Sequence, residues 1–220
     1  MCDISELDSS ELGTKEYWDK QYETEIENFR QHGDMGDIWF GEDAVDRIVR
    51  WITKNKDIKV DSGIVDIGCG NGYILLNLAQ RNFTKLLGID YSESAVLLAK
   101  EIAKKENVPN VKYEVCNVLE DVTKLVNQFD VVHDKGTYDA ISLNPENPKD
   151  CREKYIKNIW SILKLNGLLI ITSCNWTQEE LLEQFKEYFK LYEVIPTPQF
   201  KFGNKVGNVV TSIVMQNCNL

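Results

Sequence analysis

Apolar positions change period along this chain, and the change organises it. From Thr14 onward, Tyr17, Trp18, Tyr22, Ile26 and Phe29 recur at helical spacing. Thr14 is placed to cap that helix, and Gly33 and Gly36 break it. An aromatic element at 37–41 leads into a second predicted helix, from about Asp43 to Lys54, with Val45, Ile48, Val49 and Ile52 on one face. Beyond Gly63, short β-type runs take over at 64–67, 85–89, 111–115, 128–133 and 168–172. Helical stretches at 73–81, 94–106 and 148–163, with a short one at 123–127, separate them. Tyr155, Ile159 and Ile162 point inward on the 148–163 helix, and Gly167 marks its turn. Strands alternating with helices predict a mostly parallel sheet covered on both faces. After a helix at 177–189, the runs 192–195 and 209–215 are joined by a loop without a helix, so they predict antiparallel partners at one edge. The expected fold is α/β: a Rossmann-like, seven-stranded, mostly parallel sheet with helices on both faces and an antiparallel C-terminal edge. Residues 1–12 predict a flexible acidic tail. Residues 13–220 predict one domain, with 13–62 as an N-terminal helical cover.

In open α/β sheets, ligands sit at the carboxyl ends of the strands. The turn after the first strand reads Asp66-Ile67-Gly68-Cys69-Gly70-Asn71-Gly72. Alternating glycines allow close backbone approach, and the following helix offers free N–H groups. The spacing is GxGxG, neither the GxGxxG of dinucleotide sites nor a phosphate loop ending in GK[ST]. Asp90 ends the second strand, where a carboxylate can accept both ribose hydroxyls. An adenosine carrying an amino acid instead of phosphate fits this pair, and S-adenosylmethionine is such a ligand. Asp66 would face its α-amino group. The alternative is that Asp66 braces the turn and Asp90 caps a helix. Asn117 and the backbone at Val118 follow the third strand and could address adenine, with Tyr91, Ile89 and Leu119 as apolar contacts. A turn-forming asparagine is the rival there.

The fourth strand opens into a polar cluster, His133-Asp134-Lys135-Gly136-Thr137-Tyr138-Asp139. Asp134 is the candidate for contact with the methionine moiety or the incoming amine. Lys135 could pair with an acid or with a ligand carboxylate, Thr137 could cap a turn, and Asp139 could hold a cation or orient the loop. Asn175 and Trp176, beyond the fifth strand, are candidates for the reaction site. Trp39 and Phe40 could line a substrate channel, since aromatic faces attract alkyl-ammonium groups, but core packing is the competing role. Residues 196–202 could border the substrate.

Composition narrows the partners. The formal charge is −10, from 35 acidic and 25 basic residues, which disfavours nucleic acid and favours a basic partner. Six cysteines form no CxxC pair and no histidine lies at zinc spacing, so no metal is expected. The acidic, polar start is unlike a signal peptide. No apolar run reaches the roughly 18 residues of a membrane helix, so no membrane partner is expected.

The strings VDIGCGNG (65–72), GIDYS (88–92), HDKGTYDAISLNP (133–145) and ITSCNW (171–176) resemble the class I seven-β-strand methyltransferases. More narrowly, these strings with residues 12–29, 36–51 and 196–208 resemble the lysine methyltransferases of translation elongation factor 1-alpha. The likeness spans about residues 12–216. It implies S-adenosylmethionine as cofactor, S-adenosylhomocysteine as product, and a protein lysine as acceptor. It also implies a cytoplasmic monomer, with the nucleus as a second location. By resemblance, Asp66, Gly68, Gly70 and Gly72 form the cofactor loop, Asp90 contacts ribose, and Trp39 covers the cofactor. Family members carry an acidic residue where this chain has Asn117. The alternatives are a small-molecule methyltransferase and a methyltransferase-fold binding protein without turnover.

Overall fold

The computed structural model describes residues 5–120, 122–202 and 205–218. Seven strands form one sheet in the order β3-β2-β1-β4-β5-β9-β6. They are β1 (Gly63–Ile67), β2 (Lys85–Asp90), β3 (Val111–Val115), β4 (Phe129–Lys135), β5 (Leu163–Ser173), β6 (Phe189–Val194) and β9 (Thr211–Asn217). The first five are mutually parallel, and β9 runs antiparallel between β5 and β6. The order turns back between β1 and β4, the crevice where such sheets bind ligands.

Each face of the sheet has its own core, set by alternation along the strands. Ile64, Val131, Ile170 and Val214 pack with α1 (Lys15–His32), α2 (Glu42–Lys54), α3 (Tyr73–Ala79) and α4 (Glu93–Lys105). Val65, Ile67, Val132, Ile171 and Ile213 face the other way, onto α5 (Thr137–Ser142), α6 (Pro148–Ile162) and α7 (Gln178–Phe185). Strand β1 is buried along its whole length, as expected for a central parallel strand. The N-terminal helices fall where periodicity predicts them. Thr14 Oγ1 accepts the N–H of Tyr17 at 3.3 Å to start α1.

Several boundaries differ. Residues 137–142, for which no helix is predicted, form α5, too short for a helical period to register. Helix α6 passes directly into β5 without a turn at Gly167. Leu163 pairs with Phe129 and Leu168 with Val131, so residues 164–167 arch out of the ladder. Helix α7 stops at Phe185, because Phe189 pairs with Asn217 and opens β6. A hairpin, β7 (Gln199–Phe202) with β8 (Lys205–Asn208), fills the expected Pro-rich loop. The side chains of Phe200 and Phe202, expected near the substrate, lie outside the described residues. Within the predicted tail, Glu6 pairs with Arg152 at 2.6 Å and the Ser10 N–H donates to the Leu143 carbonyl at 3.1 Å.

Candidate active site

A cavity of about 360 Å³ opens at the carboxyl ends of β1, β2 and β4. Its floor is the glycine turn after β1. Gly68 and Gly70 hold φ of 62° and 51°, the left-handed region that disfavours side chains. Space enforces the same choice: a Cβ on Gly68 would collide with Thr137 Oγ1, and one on Gly70 with Tyr22 Oη. Bare backbone therefore meets the cavity. Gly72 does not line it. It caps α3 and packs against Tyr113.

Asp90 stands beside this turn, 4% exposed. Its Oδ2 accepts the Gly70 N–H at 3.1 Å and its Oδ1 the Ser92 N–H at 2.9 Å. Burial pushes its carboxyl up to about 6, and the backbone hydrogen bonds oppose that rise. Each oxygen keeps a lone pair, so the group can brace the turn and still accept hydroxyls. Asp66 lines the cavity on the β1 side, with Oδ1 2.6 Å from His133 Nδ1. Cys69 lines it too, and burial raises its thiol well above the usual range, which keeps it protonated.

The remaining cofactor candidates also border the cavity: Trp39, Tyr91, Asn117 and Val118. The Asn117 side chain is engaged locally, with Oδ1 accepting the Leu119 N–H at 3.0 Å and Nδ2 donating to Glu120 at 3.0 Å. Trp39 is 37% exposed at the rim and meets Trp18 edge-on, so it is not a core residue. Its neighbour Phe40 has a φ of 63°, rare for a bulky side chain, and packs over Gly136.

Two expected reaction-site residues lie elsewhere. Asp134 is fully buried and outside the cavity. Alternation turns it to the α6 face, where Oδ1 accepts the Thr137 N–H at 3.0 Å, Oδ2 accepts the Tyr138 N–H at 3.1 Å, and Oδ2 also accepts the Tyr155 O–H. Its carboxylate holds the first N–H groups of α5 and does not border the cavity. Burial lifts its carboxyl to about 7. Trp176 is 2% exposed and packs on the same side, with Nε1 donating to Ser142 Oγ at 3.1 Å. Asn175 does line the cavity.

Lys135 at the end of β4, and Thr137 and Asp139 on α5, line the cavity. Lys135 Nζ lies 5.8 Å from the Phe40 ring centre, and burial lowers its pKa against the pull of Asp66 and Asp134. Asp139 Oδ1 accepts Ser173 Oγ–H at 2.5 Å and Oδ2 accepts the Cys174 N–H at 2.8 Å, tying α5 to the fifth-strand mouth. Burial raises its carboxyl. Sequence reasoning missed Asn71, whose Nδ2 donates to the carbonyls of Met35 at 3.0 Å and Asp37 at 3.4 Å. It staples the N-terminal cover to the glycine turn, and its only sequence signal was an amide inside that turn. Tyr22, expected as core alone, also lines the cavity.

Among the described residues, no cluster of His, Cys, Asp and Glu could hold a metal, and no helix is long and apolar enough to cross a membrane.

A model of the methyltransferase domain matches residues 58–217. Human EEF1A lysine methyltransferase 2 is 48% identical over 207 residues, covering 94% of this chain and 87% of the human protein. Protein-lysine N-methyltransferase EFM4 of Saccharomyces cerevisiae is 38% identical, with 100% of each chain covered. Among solved structures, N-methyltransferase NodS of Bradyrhizobium japonicum, in complex with S-adenosyl-L-homocysteine, superposes with a TM-score of 0.66 at 16% identity, over 92% of this chain and 99% of its own. The cyclase SpnF gives 0.65 at 19% identity, over 87% and 78%. Those two likenesses concern the fold, which by itself does not specify a reaction. The sequence relatives carry the narrower assignment: this chain belongs to the methyltransferase-domain family, in the group of protein-lysine methyltransferases that includes human EEF1A lysine methyltransferase 2 and yeast EFM4.

Proposed function

We propose that this protein transfers methyl groups from S-adenosylmethionine to a lysine of translation elongation factor 1-alpha. The observation that carries the reading is the buried Asp90 carboxylate hydrogen-bonded beneath a glycine turn on the floor of the cavity. The fit to the cofactor rests on three features. The volume falls in the range of small-ligand sites, roughly 300–1,000 Å³. The Gly68–Gly70 backbone is bare, and a carboxylate and an ammonium, Asp66 and Lys135, flank the same cavity. Asp90 would hold the ribose, Asp66 the α-amino group, Lys135 the carboxylate, and Asn117 with Val118 the adenine edge.

When bound, S-adenosylmethionine supplies a methyl group already activated on its sulfonium. The chain has to align an acceptor, exclude water and remove one proton. Trp39 and Phe40 close one side of the cavity, and Cys174 with Asn175 close another. A lysine ammonium, with an unperturbed pKa near 10.4, must lose a proton before attack. Burial favours the neutral amine and a nearby carboxylate favours the cation. Asp139, fixed by Ser173 and Cys174, docks the ammonium in this reading and receives its proton. Asp134 is not given this part, because its oxygens are engaged by the Thr137 and Tyr138 N–H groups and the Tyr155 O–H. A net charge of −10 supports a basic protein as the acceptor. The test is labelled methyl transfer in a lysate. A labelled protein band at the size of the elongation factor is expected. Label confined to small molecules would favour a metabolite methyltransferase instead.

A further inference from the structure

We propose that His133 is a positioning residue for the cofactor: its Nδ1–H holds one oxygen of Asp66, so that the carboxylate is presented to the ligand's α-amino group. The inference rests on the cofactor reading above and adds a residue to it.

His133 and Asp66 are register partners on β4 and β1, with side chains on the same face. Nδ1 and Oδ1 are 2.6 Å apart, and the residues are 1% and 4% exposed. A carboxylate accepts, so Nδ1 carries the proton of this bond, and Nε2 points away from it. That Nε2 is buried without a hydrogen-bond partner among the described residues. Its strand neighbour across β5 is Ile170, and Ile64 and Val131 lie in the apolar core on the same face. An orphaned buried nitrogen costs stability, and an apolar residue of similar size would avoid the cost. The histidine is therefore a poor choice for packing and a good one for fixing Asp66. Without it, the Asp66 carboxylate would be free to rotate at the cavity wall, and ordering it would fall to the ligand. Lys135, two positions on along the same strand face, lines the cavity as well, so the held carboxylate and the ammonium can address the two ends of an amino acid together.

The experiment is calorimetry on the full chain with two ligands, S-adenosylhomocysteine and 5′-methylthioadenosine, which lacks the amino acid. His133→Leu removes the orphaned nitrogen but also strips Asp66 of a buried partner, so it should melt somewhat lower than the wild type. It should bind S-adenosylhomocysteine roughly tenfold more weakly and methylthioadenosine unchanged. His133→Asn, whose amide can stand where Nδ1 stands, should restore most of the affinity. Equal loss for both ligands, no loss for either, or failure of the asparagine to rescue would overturn the proposal. Lower stability of His133→Leu with intact binding would overturn it too, since that is the mark of a purely structural histidine. If the wild type bound neither ligand, the cofactor reading itself would fall.

Discussion

The carboxylate of Asp90 accepts the backbone N–H of Gly70 at 3.1 Å, joining the end of β2 to the turn after β1. One side chain thus shapes the glycine turn and offers acceptors to whatever lies on it. Replacing it with alanine removes both functions. Asp90→Ala should weaken S-adenosylmethionine binding by roughly 100-fold, the scale of two lost hydrogen bonds to a charged group. Asp90→Asn should fall between. Calorimetry checks both, and an unchanged affinity in the alanine variant would remove Asp90 from the cofactor site.

Asn71 links the glycine turn to the N-terminal cover through the Met35 and Asp37 carbonyls. Asn71→Ala should leave the sheet intact and loosen residues 33–41. Hydrogen exchange should rise in that segment and not in β1 or β4, and the cofactor should dissociate several-fold faster by stopped flow, on the scale of about one hydrogen bond.

Asp139 anchors the fifth-strand mouth rather than the glycine turn. Asp139→Ala should cut turnover on the protein substrate by about 100-fold, the range for loss of a proton-transfer group. Cofactor affinity should change little. Comparing kcat with cofactor Kd tests the separation.

Burial raises the carboxyls of Asp90 and Asp134, to about 6 and about 7. In an unfolded chain an aspartate titrates near 3.9. Between about pH 4 and 7 the folded state therefore holds protons that the unfolded chain has released. These two groups make their full contribution to stability below pH 4 and lose it as pH rises to 7. Asp134→Asn should flatten that fall. Urea midpoints for wild type and variant across this window give the answer, and parallel curves would mean that Asp134 does not titrate there.

Much of this architecture was legible because buried parallel strands must be apolar on both faces, and β1, β4 and β5 stand out for that reason. The turn at Gly68 and Gly70 was legible because left-handed backbone in a crowded place demands glycine, and Asp90 because it closes a strand at the ligand-binding edge of the sheet. Asp134 was misplaced for lack of parity. His133 and Lys135 share one face of β4, and Asp134 alternates with Val132 onto the other, where Tyr155 waits. Counting from Val131, which packs with Ile64 and Ile170, separates the three. Trp176 follows a turn after β5, and no period predicts its direction. The Asp66–His133 pair depends on cross-strand register, which sequence spacing does not contain.

The most direct test of the central claim is the intact mass of purified elongation factor 1-alpha incubated with this protein and S-adenosylmethionine. Peptide sequencing by mass spectrometry then locates the change. The expected result is added methyl mass on a lysine, absent with Asp90→Ala. A wild-type protein that binds S-adenosylmethionine yet leaves the factor's mass unchanged would contradict it.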